Sequence, residues 1–338
     1  MKIAILSPVA WRTPPRHYGP WELVASTIAE GLFEKGYDVT LFATKDSVTR
    51  GKLSAVIPQG YEEDKTQDAK VAECLHISHL MEKAGDFDII HNHFDFLPLT
   101  YSNLIKTPMV TTIHGFSSKK IIEVYRKYND SSYYVSISNA DRSDQLRYLA
   151  TVYNGIDPSA FTFNQSPEDY LLFFGRIHHD KGCLEAIEIA KRSNHGLIIS
   201  GIIQDQNYYR EKIFPLIDDD RIKYIGVSDP EQRDQVMGSA KALLHPINFE
   251  EPFGLSVVES MFCGTPVIAF NKGSMGELID DGQSGFLVHT VNEAVEKVKD
   301  INKLSRKNCR AWAEENFSKE RMINGYIKVY ERILDSQH

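Results

Sequence analysis

The 338-residue chain is 42% hydrophobic, 11% aromatic and 25% charged, an ordinary globular composition. A single core stops growing at roughly 250–300 residues, so two domains are expected. The net charge of −8 excludes a uniformly basic face for nucleic acid, and no stretch reaches the ~18–20 apolar residues of a membrane span.

The opening Met1–Leu6 run, followed by Ser7-Pro8, is too short and wrongly flanked for a signal peptide. Lys2–Leu6 reads as a strand and Glu22–Lys35 as a helix stopped by Gly36. Further strands are predicted at Asp38–Ala43, Asp88–His91 and Met109–Ile113. The alternation then restarts, with strands at Tyr170–Phe174, Gly196–Ser200, Ile222–Ile225, Ala242–His245 and Thr265–Phe270. Helices at Leu184–Arg192, Gln232–Ser239 and Leu255–Phe262 separate them. The stretch Asn154–Pro167, rich in Pro, Asn, Ser and Gly, marks a linker, and the tail from Glu293 is helical, ending in about Glu320–Asp335. This pattern predicts an α/β protein of two Rossmann-like, doubly wound lobes facing each other across a cleft at the carboxyl ends of their strands. The expected domains are residues 1–157, joined by a final helix over 320–338, and residues 168–316. Cys74, Cys183, Cys263 and Cys309 are widely spaced, without a paired metal-ligand pattern, and read as free thiols of a reducing compartment; a cytoplasmic location is expected.

The first strand leads into Pro14-Pro15-Arg16-His17-Tyr18-Gly19-Pro20. This loop lacks the G-x-G-x-x-G fingerprint, which counts against a nicotinamide or flavin enzyme. Gly19 permits close backbone approach to a ligand, and Arg16 is a candidate contact for an acceptor or phosphate; an ordered loop without contact is the alternative. His91 and His93 alternate on a strand, but no neighbouring carboxylate or cysteine completes a metal set. Asp218-Asp219-Asp220 reads as a solvated turn, so no metal is expected there either. His114 ends an apolar strand, where it can hydrogen-bond a sugar hydroxyl or assist a leaving group, or simply be structural.

In the second half, Gly175-Arg176-Ile177-His178-His179-Asp180-Lys181-Gly182 follows the first strand. Arg176 offers a bidentate fork and Lys181 a point charge, suited to neutralising a departing pyrophosphate; a solvated basic turn is the plain alternative. Glu250-Glu251-Pro252-Phe253-Gly254-Leu255 then turns into a helix whose first free amides, around Phe253, Gly254 and Leu255, form an anion site suited to a diphosphate. Glu251 and Glu259 are separated by about two helical turns and can address hydroxyls at opposite ends of one elongated ligand. Gly273-Ser274-Met275-Gly276-Glu277 is either a donor contact or a tight turn.

Together these segments resemble the family 4 glycosyltransferases, retaining enzymes of the two-lobed GT-B type, over nearly the whole chain. The resemblance rests on Glu251-x7-Glu259 within Glu-Pro-Phe-Gly and on Gly175-Arg176-x4-Lys181-Gly182. Thr-Ile-His-Gly at His114, Asn154-Gly155-Ile156-Asp157 and Asp281-Gly282-x2-Gly285-Phe286-Leu287-Val288 add softer support. It implies transfer of a hexose from a nucleoside-diphosphate sugar, UDP-sugar before GDP-sugar, to a hydroxyl of a saccharide, lipid-linked or small-molecule acceptor. No metal or other cofactor is implied, and a peripheral membrane contact is expected where the acceptor is lipid-linked. Arg176 and Lys181 would hold the diphosphate, Glu251 the donor sugar, Glu259 the ribose, the Gly254 and Leu255 amides a phosphate, and His114 the sugar near the reacting centre. Relatives commonly carry two glycines in the first loop, whereas Pro20 follows Gly19 here and supplies no amide. A sugar-nucleotide epimerase or phosphorylase of the same fold, and a non-catalytic sugar-nucleotide binding module, are the alternative readings.

Overall fold

Apolar, β-branched runs that must satisfy their backbone groups internally pair into two all-parallel sheets in the computed structural model, which describes residues 1–336. The chain divides into one unit of Met1–Gly155 plus the segment from Lys319 onward, and a second of Ile156–Ser318.

In the first unit the strands are β1 (Lys2–Leu6), β2 (Asp38–Phe42), β3 (Lys52–Ser54), β4 (Ile89–Asn92), β5 (Met109–Ile113), β6 (Tyr133–Ser136) and β7 (Tyr148–Thr151). Their order is β3-β2-β1-β4-β5-β6-β7. Helix Pro20–Glu34 and helix Lys319–Asp335 bury Val24, Ile28 and Leu32 with Ile323, Tyr326 and Tyr330 on one face of the sheet. Their backbones approach closely at Gly31, where an added Cβ would meet Ile323 Cγ1 at 2.5 Å. Helix Ala69–Met81, capped by the Asp68 carboxylate accepting from the Val71 amide at 3.1 Å, contributes Ala72, Ile77 and Leu80 to the core of the other face.

The second unit comprises β8 (Tyr170–Phe174), β9 (Gly196–Ser200), β10 (Ile222–Tyr224), β11 (Ala242–His245), β12 (Val267–Phe270) and β13 (Gly285–Val288), ordered β10-β9-β8-β11-β12-β13. Helices Cys183–Arg192 and Val291–Asp300 share a core with Leu171, Phe173, Ile199 and Leu244. Both sheets therefore reverse their strand order once, between β1 and β4 and between β8 and β11, and ligands of open α/β sheets bind outside the strand ends at such points. Among the described residues no helix is long and apolar enough to cross a membrane.

Candidate active site

The reversal point of the second sheet brings the ends of β8 and β11 together. After β8 the chain turns through Gly175–Gly182, and the turn is tied to the loop leaving β11. The Asn248 amide donates to the Asp180 carbonyl at 2.6 Å, and its side-chain amide donates to Glu185 at 2.8 Å. Gly182 has φ 75°, and a Cβ there would strike the Pro246 carbonyl, so only glycine lets the two segments meet this closely. The turn thereby delivers Lys181, whose ammonium donates to Glu251 Oε2 and lies 4.7 Å from the Phe249 ring centroid. Both members of this pair are largely buried. Burial alone would raise the Glu251 carboxyl, but His245 and Lys181 outweigh it and hold the group at about 2. Glu251 is thus ionised at neutral pH and has no proton to give as a general acid. Its second oxygen carries no hydrogen bond among the described residues.

The loop holding Glu251 is buttressed from below. The Ser274 amide donates to the Glu251 carbonyl at 2.9 Å, and the Ser274 hydroxyl to the Phe253 carbonyl at 2.5 Å. Gly273 (φ 56°) lies so close that a Cβ would overlap the Glu251 backbone. The Gly273–Glu277 turn thus packs its backbone directly beneath the Glu251 loop. Gly254, at φ 99°, opens helix Leu255–Phe262, whose leading amides have no acceptor within the helix. Glu259 lies on that helix, buried, with Oε1 3.1 Å from the Arg233 guanidinium. Arg233 in turn lies over Phe161. Arg176, half-buried at the end of β8, donates to Gln204 rather than to the Lys181–Glu251 pair. Sequence reasoning thus placed Lys181, Glu251, Gly254, Leu255 and Glu259 in one neighbourhood, but missed Arg233, Gln204 and His245. Their signal is purely tertiary. Among the described residues, His178, His179 and Asp205 bring potential metal-ligand atoms within 4.8 Å of one another, although the Asp180 carboxylate already faces both rings, at 3.3 and 2.8 Å.

The first unit gathers the remaining candidates at its own strand ends. His114, just past β5, is buried against Trp21, whose ring stacks on it at 5.5 Å, and its Nε2 lies 2.9 Å from His93 Nδ1. Burial pushes the His114 imidazole down to about 3, so the ring is neutral. Gly19 precedes helix Pro20–Glu34 with φ 150°, and Pro20 occupies the first helical position, where a missing N–H costs the helix nothing. Beside Gly19, burial raises the Glu22 carboxyl to about 7 while it accepts from the Trp11 amide at 3.2 Å. Arg16 is paired with Glu63 at 2.7 Å and Asp46 at 3.3 Å. His91 spends both nitrogens on hydroxyls, Tyr330 and Thr112, each at 2.7 Å, which accounts for it without a metal.

Comparison with known proteins bears on the family and the fold. Residues 158–319 match the model for glycosyl transferases group 1, and residues 22–160 that for glycosyltransferase family 4. An uncharacterised glycosyltransferase of Methanocaldococcus jannaschii is 24% identical over 339 aligned positions, covering 86% of each chain. In fold, the chain is similar to a glycosyltransferase involved in avilamycin A biosynthesis (TM-score 0.75, 22% identity, 99% of this chain and 98% of that one). It is also similar to Anabaena HepE in complex with UDP-glucose (TM-score 0.73, 20% identity, 98% of this chain and 100% of that one).

Proposed function

Because the chain belongs to the family 4 glycosyltransferases and has their GT-B type of fold, we propose that it moves a hexose from a nucleoside-diphosphate sugar to an acceptor hydroxyl with retention of the anomeric configuration. The observation that carries the reading is the buried Lys181–Glu251 pair at the ends of β8 and β11, immediately before the amides that open helix Leu255–Phe262. A cation and free amides suit a diphosphate, and a permanently ionised carboxylate with one oxygen unengaged suits a sugar hydroxyl. In this proposal Arg176 and Lys181, with the amides of Phe253–Leu255, stabilise the charge that grows on the leaving diphosphate, so the chemistry calls for no metal. Glu251 holds the donor sugar and Glu259 the ribose, and the family resemblance assigns His114 a contact with the sugar and Gly19 a part in donor binding. The departing phosphate itself takes the acceptor proton, and attack comes from the face it leaves. The UDP-glucose seen with the Anabaena relative supports a UDP-sugar over GDP-mannose. The acceptor hydroxyl belongs to a saccharide, a lipid-linked acceptor or a small molecule.

Thermal-shift measurements against a panel of UDP- and GDP-sugars should show one donor raising the melting temperature, since preferential binding to the folded state stabilises it. With that donor and an added acceptor, new glycoside should form, whereas isomerised donor or phosphate-dependent release would point to an epimerase or a phosphorylase. Binding without any turnover would point to a non-catalytic module. Arg176→Ala should cost about 100-fold or more in kcat, as for a lost transition-state cation. Near-normal turnover in that variant would remove Arg176 from the reaction.

A further inference from the structure

Three imidazoles, His91, His93 and His114, lie at or just past the ends of β4 and β5, and burial disfavours a second ring proton on each. His93 is fully buried, 4.0 Å from the His91 ring between centroids, with Nδ1 2.9 Å from His114 Nε2 and Nε2 without any partner. His114 shows the opposite asymmetry. Its Nε2 is taken by His93, while its Nδ1 has no partner among the described residues and is not one of the atoms sealed from solvent.

Each neutral imidazole carries one ring proton, and the short contact between the two rings holds one hydrogen. If His114 supplied it from Nε2, the His93 proton would sit on Nε2, a buried N–H with nothing to accept it. If His93 supplies it from Nδ1, the orphan at Nε2 is only a lone pair. Buried N–H groups without acceptors are rarer and more costly than under-used acceptors. We infer that His93 donates from Nδ1 to His114 Nε2 and thereby fixes the His114 proton on Nδ1, making His93 the positioning residue that turns His114 into a hydrogen-bond donor toward bound ligand. This is the reverse of the tautomer free histidine favours in water, so the protein imposes it. A ring held this way offers an N–H to an oxygen, either a sugar hydroxyl or a phosphate oxygen, and presents no basic nitrogen to an acceptor proton. The link to ligand rests on the reading that His114 lies beside the donor sugar; the tautomer itself does not.

The test is a multiple-bond 1H–15N correlation spectrum of the full chain labelled in its histidine rings, with His114 assigned by the signals lost in His114→Gln. The expected pattern is a protonated Nδ1 and a bare Nε2 on His114. In His93→Leu the ring should move to the Nε2–H form, and in His93→Asn, whose carboxamide N–H can replace Nδ1–H, the native pattern should return. With the donor found by thermal shift, His93→Leu should lose about tenfold or more in kcat with KM within about threefold, and His93→Asn should recover most of the loss. A native spectrum showing Nε2–H on His114, or a pattern unmoved by His93→Leu, overturns the inference. Normal transfer by His114→Ala would instead overturn the placement of His114 at the sugar, which the ring spectrum does not depend on, so the two failures are told apart.

Discussion

Lys181 and Glu251 meet across 70 residues of sequence, and the consequence of that meeting is a pH dependence. The Glu251 carboxyl sits at about 2 in the folded chain against an ordinary value of 4.5. A carboxyl lowered on folding stabilises the native state fully above its unfolded value, and the contribution disappears as the pH falls through the folded value. Glu251→Gln keeps the shape but leaves a largely buried ammonium without its counter-charge, so the second unit should lose about 3 kcal/mol at pH 7. Urea melts of the two proteins should differ by that amount at neutral pH and converge between about pH 4.5 and pH 2. A constant gap over that range would show that the pair is not its source. Both residues were legible as motif members, because Gly-Arg-x4-Lys-Gly and Glu-Pro-Phe-Gly are local patterns. Their contact was not, since nothing local says that Pro246 will seat against Gly182. For the same reason the Arg233 partner of Glu259, on another helix, left no trace in the sequence.

The last carbonyls of helix Pro230–Ser239 lack intrahelical donors and are met from outside: Val236 O by the Tyr170 hydroxyl, Met237 O by the Thr265 hydroxyl, Ser239 O by the Glu168 amide and Gly238 O by Arg306 of a different helix. The buried Arg306 guanidinium donates to Gly238 O at 2.6 Å, Ala240 O at 2.9 Å and Thr265 Oγ1 at 2.5 Å, and its Nε to Asn164 O at 2.6 Å. These acceptors are served from three separate nitrogens of one planar fork, a spread that the three N–H groups on the single nitrogen of an ammonium cannot span. Arg306→Lys should therefore destabilise the second unit by about 2 kcal/mol, read from denaturant midpoints, and speed amide exchange at the end of that helix. Unchanged stability would mean that water serves those carbonyls equally well. Elements showed the same division between local and non-local signals. Largely buried strands such as β1, β5, β8, β9 and β11 announce themselves as short apolar runs, and their observed bounds are the predicted ones. Strand β3, three residues long at a sheet edge, and the half-buried edge strand β7 carry no such run. Helix Ala69–Met81 was also overlooked: Val71 and Leu75 are exposed on it at 56% and 52%, which blurs the 3.6-residue periodicity.

The chain leaves its first unit after Gly155, builds the second, and returns at Lys319 to finish the first. The helical tail was legible in the sequence and its joining of the first domain came as an expectation of the family resemblance, but which of its residues form the buried face was not read. That face supplies Met322, Ile323, Tyr326, Val329, Tyr330 and Ile333 to the core beside Val24, Ile28 and Leu32. It also supplies the Tyr330 hydroxyl bonded to His91 and the Tyr326 hydroxyl bonded to Thr112, so the imidazole group of the first unit is assembled only when the chain's end is in place. Large-to-small changes at single core positions cost about 2–5 kcal/mol each, and a whole domain holds only about 5–15 kcal/mol. A chain ending at Ser318 should therefore fail to hold its first unit, while the second, which keeps all of its own residues including buried Cys309, Ala313 and Phe317, stays folded. Hydrogen exchange should show protection lost over residues 1–155 and kept over 156–318. Supplying residues 319–338 as a separate peptide should restore protection in the first unit, because the lost contacts are packing and hydrogen bonds rather than covalent connection. Protection of residues 1–155 without that peptide would show that the sheet and helix Pro20–Glu34 suffice on their own.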